Sequence, residues 1–386
     1  MRCDDSAAPD RMFTHLVDEL ELPAIIGNSY SFTVLQVAPT IVIPGHTFFM
    51  VPLSGSPSIS TLDDKSLVWR TIGSSTDYAE PMARVVDLLE ARVRNQVSLG
   101  VQPVCVALLV NRGTLYSLAA EKLESFLRFN GLSLGGSLAA QTFRRTDYDD
   151  PSDNPNVDYS TTAASIVDFN PHIVIVVGGP ETNGSVIPTI ESAHRSGTIP
   201  YEYLIGDGAH DSSAVTAYGM NDDLRHRVVV VSGAVDLRTV PTFDAFKIRY
   251  NASYKDPVET SDGLEAIYDG LYATLYAMVA AAPGKPVTGP GIAAGMTSLD
   301  PGGTPVTVGP TDWATAFSTL SSGGKLLATG VVSTLLFNSS GDTPMPPAVY
   351  CVSRANGTGI PTIEVANTGV AWNPITAVFD GEITCP

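Results

Sequence analysis

The chain alternates between short, uninterrupted apolar runs and longer stretches in which apolar residues recur every third or fourth position. Pro23–Gly27, Phe48–Pro52, Cys105–Val110, Ile173–Gly179 and Arg227–Gly233 are runs of the first kind. A strand with one wet face would alternate apolar with polar residues, so continuous runs predict parallel strands covered on both faces. Asp10–Leu20, Ala79–Asn95, Leu115–Gly131 and Ser185–Gly197 have the three- and four-residue spacing of amphipathic helices, and two of them end at a glycine in the C-cap position. Strand, helix and strand in succession mean βαβ units and an α/β fold. Thr146–His172 predicts an acidic loop rich in Pro and Asn that recovers a helix near Thr162. Ala282–Asp312, rich in Gly, Pro and Thr, predicts a loop wrapped around one short helix.

Several predicted strands empty into small polar residues. Asn28–Ser31, Leu53–Ser58, Ser74–Asp77 and Asp207–Asp211 each follow an apolar run. In open parallel sheets, ligands bind beyond the carboxyl ends of the strands, where backbone N–H groups are exposed. Hydroxyls that both donate and accept, beside a glycine that lets the backbone approach, suit a carboxylate. Ser and Asp in such loops also cap helices and make turns. Repetition of the pattern on successive strands favours a polar ligand site.

At 386 residues the chain exceeds what one core usually fills, so two lobes are expected. A hydrophobic share of 44% supplies that core, while a formal charge of -18 has the wrong sign for nucleic acid or anionic lipid. No window reaches the roughly 18 apolar residues of a membrane span. The nearest, Ala266–Ala282, carries Asp269 and several tyrosines and reads as a buried helix. The first ten residues lack the basic and apolar regions of a secretion signal. Spacing alone does not decide whether Cys351 and Cys385 are bonded; Cys3 and Cys105 read as unpaired.

Catalytic patterns are weak. The six histidines have no metal-ligand spacing, and only His210, beside Asp207 and Asp211, is worth a metal titration. There is no nucleophile elbow. Gly289–Gly295 imitates a dinucleotide loop but has the wrong glycine spacing, a proline, and no preceding strand. Arg144 and Arg145 read as a solvated pair, and glycosylation triplets begin at Asn183, Asn251, Asn338 and Asn356. The expectation is no enzyme, no cofactor and no metal.

In their order, the segments around "LPAIIGNSYS", "FFMVPLSGSPSISTL", "VWRTIGSSTDYAEPMARVV", "VALLVNRGTLYSLAAEKL", "VDFNPHIVIVVGG", "YLIGDGA" and "EAIYDGLYATLYAM" resemble the branched-chain amino acid (Leu/Ile/Val) type of extracellular solute-binding proteins. These are type I periplasmic binding proteins that serve ABC importers. The resemblance implies two Rossmann-like lobes with parallel sheets, joined by three hinge crossovers and closing on a solute. Lobe one would take 1–73 and 234–336, and lobe two 74–233 and 337–386. It implies that Ser31, Ser54, Gly55 and Ser56 hold the ligand's carboxylate and amine, and that Asp207 receives an ammonium. Either Leu115 or Tyr116 stands where members carry a ligand-contacting tyrosine, and Pro180 where an aromatic is frequent. Members begin with a strand, an aromatic-bearing loop and a helix that would precede Met1, so Met1 reads as an internal start. The implied function is capture of a small polar or zwitterionic ligand, an amino acid or a relative, in the interlobe cleft. The protein would be a periplasmic or lipid-anchored monomer, partnered by an ABC permease. A sensor ectodomain of the same fold and a paralogue that binds nothing are the alternatives.

Overall fold

The computed structural model describes residues 8–27, 30–96, 102–136, 138–194, 199–206, 217–218, 221–232, 241–255, 263–281, 286–343, 347–354, 361–364, 370–373 and 376–381. The chain divides into two units, Met1–Ser74 with Val235–Met345 and Ser75–Ala234 with Pro346–Pro386.

In the first unit, Ala24–Ile26, Phe48–Met50 and Val68–Trp69 form a parallel sheet in chain order, with Ala24 opposite Phe48 and Phe49 opposite Val68. Alternate residues of a strand point to opposite faces, and here both faces are covered. Phe48 and Met50 enter a core with Tyr276, Ala277, Ile292 and Met296, whereas Phe49 and Val51 enter another with Phe13, Val34 and Val37. Helices Leu264–Ala280 and Gly289–Gly295 supply the first core, helices Pro9–Thr14 and Ser31–Val37 the second.

Gly289 and Gly295 owe their identity to packing, not to a cofactor loop. A Cβ on Gly289 would lie 2.0 Å from the His46 carbonyl oxygen, and one on Gly295 would lie 2.1 Å from that of Ala277. The expected loop after this helix contains a strand, Leu299–Thr307, paired in parallel with Leu326–Thr329 across helix Trp313–Ser321. Its Gly and Pro content hid it.

The second unit holds a seven-stranded sheet in the order Pro361–Glu364, Ala348–Arg354, Val228–Ser232, Glu202–Ile205, Ile173–Val177, Val106–Asn111, Phe143–Tyr148. The last five are parallel; the first two join antiparallel. Val106, Leu108 and Val110 face helices Ala79–Gln96 and Thr114–Phe126, while Ala107 and Leu109 face Tyr159–Phe169 and Ile187–Ala193. The parallel strands therefore read as continuous apolar runs because neither face is wet. Cys351 is buried and disulfide-bonded, Cys105 is free, and Cys385 lies outside the described residues.

Local expectations needed four corrections. The helix expected over Leu115–Gly131 ends at Phe126, and Arg128–Phe129 pairs with Leu132–Ser133 in a hairpin. Asn130 and Gly131 turn it with φ of 54° and 73°, a pair of left-handed residues that Asn-Gly adopts readily. The helices expected at Asp10–Leu20 and Ser185–Gly197 are each part α, part wider π-type turn, as where the Leu20 N–H donates to the His15 carbonyl. The acidic loop begins later than expected, because Phe143–Tyr148 is an edge strand. Of its two arginines, expected to be a solvated pair, Arg144 is exposed and stacks 4.6 Å from the Phe169 ring, whereas Arg145 is half-buried and pairs with Glu124 and Asp147.

Asp269 shows how the first unit uses a buried charge. Both carboxylate oxygens accept backbone bonds, from Val331 N–H at 2.8 Å and Val332 N–H at 2.9 Å. Gly330 precedes them because a Cβ there would lie 2.4 Å from Oδ2. Burial outweighs these donors and, with Glu265 one turn away, pushes the Asp269 pKa up to about 7. The folded state then holds this proton to higher pH than the unfolded chain. Its contribution to stability is complete below 3.8 and is lost as pH rises through about 7. Urea unfolding at pH 5 and pH 8 should show the wild type losing roughly 1 to 3 kcal/mol more than Asp269→Asn over that interval. Equal losses in the two proteins would mean that Asp269 does not titrate there.

Candidate functional site

The serine loop of the first unit is organised by Arg70, the residue that follows strand Val68–Trp69. Its side chain is fully buried, a position in which each guanidinium donor needs an acceptor. Nε donates to Asp342 Oδ1 at 2.6 Å, and Nη1 donates to the carbonyls of Ser54 at 2.8 Å and Ser56 at 2.9 Å. Nη2 donates to Ser60 Oγ at 2.6 Å, and that hydroxyl donates in turn to Asp342 Oδ2 at 2.8 Å. Backbone bonds reinforce the same junction: the Arg70 N–H donates to Gly341, and Thr343 donates to the Arg70 carbonyl through both N–H and Oγ1. The loop after Phe48–Met50 is thus pinned by its carbonyls from beneath.

This arrangement brings together four of the residues singled out from the sequence. Ser31 opens helix Ser31–Val37, and its Oγ accepts the Ser56 N–H at 3.2 Å. Ser56 Oγ accepts the Ser58 N–H at 3.4 Å. Ser54 and Ser56 are fully buried, whereas Gly55 and Ser31 are half-buried. A serine hydroxyl that accepts one bond still has its own hydrogen to give, so Ser31 is the hydroxyl of this group best placed to donate outward. Tyr30 and Phe32 flank it, 63% and 65% exposed, with ring centroids 5.7 Å apart. Neither Arg70 nor Asp342 was legible as part of the site, since they lie 272 residues apart in the chain.

Tyr116 belongs to the second unit, near the start of helix Thr114–Phe126. Tyr116, Tyr78, Met82, Leu115, Val177 and Gly206 line a pocket there. It is a small, partly open pocket of about 30 Å³, on the order of two waters. Leu115, the alternative to Tyr116, lines the same pocket, and its carbonyl accepts the Ser75 hydroxyl at 3.3 Å. The parallel strands run in the order second, first, third, fourth, fifth, so the direction of winding reverses between Val106–Asn111 and Ile173–Val177. Ligands of open α/β sheets bind beyond the carboxyl ends at such a reversal.

Asp207 and His210 lie outside the described residues, as does Asn356. Among the described residues no group of three or more His, Cys, Asp or Glu side chains could hold a metal ion. Asn183, which heads one glycosylation triplet, is fully buried and accepts the Tyr218 hydroxyl at 2.7 Å.

No protein-family model matches the chain, and no curated protein matches it. Solved structures do. Leucine-binding protein LivK from Thermotoga maritima is 16% identical with a TM-score of 0.63, over 94% of this chain and 84% of that one. An ABC-transporter solute-binding protein from Rhodopseudomonas palustris BisB5, in complex with 3,4-dihydroxybenzoic acid, is 13% identical with a TM-score of 0.61, over 99% and 86%. An ABC-transporter substrate-binding protein from Desulfitobacterium hafniense, in complex with Leu, is 16% identical with a TM-score of 0.59, over 93% and 85%. The likeness at these identities is one of fold: the chain has the α/β fold of type I periplasmic binding proteins, as expected from its sequence.

Removing one member of the Arg70–Asp342 pair leaves the other buried without its counter-charge. Asp342→Ala should therefore cost about 3 to 5 kcal/mol in urea unfolding, and the apolar double replacement Arg70→Met with Asp342→Leu should recover much of it. A loss below about 1 kcal/mol for Asp342→Ala would mean the pair is not a structural clamp.

Proposed function

We propose that the chain is the solute-binding component of an ABC importer, which captures a small polar or zwitterionic ligand, an amino acid or a related acid, without transforming it. The observation that carries this reading is the serine loop at the carboxyl end of Phe48–Met50. A fully buried arginine holds its carbonyls inward and leaves Ser31 at its edge. Such a loop is preorganised, and a preorganised donor set costs little further ordering when it meets a carboxylate. Leu and 3,4-dihydroxybenzoic acid, found in two of the similar structures, each carry a carboxyl group.

Within this reading Ser31 donates to the ligand carboxylate, Gly55 allows close backbone approach, and Ser54 and Ser56 shape the loop through their carbonyls. Tyr116 borders a pocket of the second unit that suits an apolar group. The working place is extracytoplasmic, free or lipid-anchored, and the chain acts as a monomer that delivers its ligand to a permease. No helix among the described residues is long and apolar enough to cross a membrane.

Ligand that binds only the folded state raises the melting temperature by mass action. A thermal-shift screen of amino acids, their amides and aromatic acids should find carboxylates that stabilise the protein by several degrees. Ser31→Ala should weaken those hits by about 1 to 3 kcal/mol in calorimetry, the cost of leaving a ligand oxygen unpaired. Stabilisation by no member of the panel would defeat the proposal, and unchanged affinity in Ser31→Ala would remove that residue from the site.

A further inference from the structure

Helix Leu264–Ala280 is turned inside out relative to an ordinary surface helix. Its two carboxylates, Glu265 and Asp269, and its Thr274 are buried, while Ile267 and Leu271 are exposed, Leu271 by 41%. Leu275 and Met278, further along the same stripe, are half-buried. A helix at the surface normally keeps its apolar stripe for the core and its charges for water. Here the core does take one apolar face, through Ala273, Tyr276 and Ala277, and the outward stripe is apolar as well.

The neighbouring helices extend this surface. A line of rings joins Tyr254, just past helix Pro241–Ser253, to Phe317 of helix Trp313–Ser321 by way of Tyr268 and Tyr272, each centroid 4.6 to 6.3 Å from the next. The rings at both ends of the line, Tyr254 and Phe317, are exposed. Singly exposed apolar residues are ordinary, whereas a contiguous set marks an interaction surface.

A cation stands within this surface. Arg249 is half-buried, and among the described residues no carboxylate lies within ion-pairing distance of it. A Cβ on Gly309 would lie 3.1 Å from Arg249 Nη2 and 3.5 Å from Tyr268 Oη, so the two polar groups converge over that glycine. Gly309 has φ 137°, a conformation that keeps the position free of a side chain. Asp312, at the head of helix Trp313–Ser321, accepts the Thr307 N–H at 2.8 Å, and Asp244 of the arginine's own helix forms no pair with it. Acids outnumber bases 40 to 22 in the chain, yet the described residues supply none to this arginine.

Tyrosine and tryptophan rings around an arginine are the composition of a binding hot spot. A guanidinium taken from water needs acceptors, and in apolar surroundings a carboxylate attracts it more strongly than in water. A second copy of the chain would set two Arg249 side chains into one apolar interface with no acid between them, and would oppose two charges of -18. An anionic bilayer meets the same net charge. We propose that the outer face of these three helices docks another protein, through a partner segment that sets an Asp or Glu side chain among Leu, Phe or Trp residues. The partner's carboxylate pairs with Arg249, and its apolar residues cover Leu271 and the exposed rings. The whole surface lies in the first unit, and docking there requires no ligand in the solute site.

The test selects phage-displayed random dodecapeptides against the full chain. Enriched peptides should combine Asp or Glu with Leu, Phe or Trp, and synthetic copies should bind in calorimetry. Replacing their acid by its amide should weaken binding by about tenfold or more, the factor of a charge-assisted hydrogen bond. In Arg249→Met the acid and amide peptides should bind alike, whereas Arg249→Lys should keep part of the difference. Leu271→Asn should weaken both peptides by about fivefold or more, through lost apolar contact. All three variants should keep the wild-type circular dichroism spectrum. Selection that enriches no peptide, or only peptides without an acid, would overturn the proposal. An unchanged affinity in either Arg249→Met or Leu271→Asn would do the same. Sedimentation of the wild type as a dimer that Leu271→Asn dissociates would assign the face to a second copy. Flotation with phosphatidylcholine vesicles that Leu271→Asn abolishes would assign it to lipid, and either result overturns a protein partner.

Discussion

A fully buried guanidinium sets the terms for the first unit. Arg70 has exchanged water for the Ser54 and Ser56 carbonyls, the Ser60 hydroxyl and the Asp342 carboxylate. Losing any of these would expose the desolvation cost that the others offset, so the acceptors are bound to one another through the arginine. Segments 54–60 and 338–343, distant in the chain, consequently behave as one piece. The helix that begins at Ser31 is tied to the same piece by the Ser56 N–H. A loop rich in serine and glycine would otherwise be loose. Here its backbone is held in one shape from the buried side, and only the edge at Ser31 and Gly55 is left partly open.

Carboxylates follow a common scheme in both units, with opposite consequences. Asp269 and Glu181 each fold onto backbone N–H groups beside a glycine whose missing Cβ makes the approach feasible. Asp269 is spent: both oxygens accept from one tight segment, and the side chain is fully buried. It is a strut. Glu181 concentrates three donors on Oε1, while Oε2 accepts from none of the described residues. The two carboxylates differ in how many of their lone pairs the described residues satisfy.

Much of the fold could be read from local pattern. Residues 106–110, 173–177 and 228–231 are apolar without interruption because each strand of the parallel sheet is covered on both faces, a requirement of the βαβ crossover itself. The errors fell where a local signal had two meanings. Asn130-Gly131 serves equally as a helix end and as a hairpin turn, and the strands that follow decide between them. Leu299–Thr307 holds two glycines and a proline-bearing stretch that argue against a strand, yet a parallel partner is available at Leu326–Thr329. Gly289 and Gly295 imitate a nucleotide loop until the His46 and Ala277 carbonyls appear against them.

The sequence by itself determined the class of fold, the succession of strands and helices, and the clustering of small hydroxyl residues after the strands, because periodicity and turn chemistry act over a few residues. Only the tertiary structure decided which of those polar residues do what. It buried Ser54 and Ser56, left Ser31 half-open, and placed Tyr116 over Gly179. It also recruited Arg70, Asp342, Asn111 and Glu181, whose partners lie up to 272 residues away. Solvation is the reason: whether a charge is a clamp or a strut depends on which donors and acceptors replace its water, and chain-distant segments supply most of them.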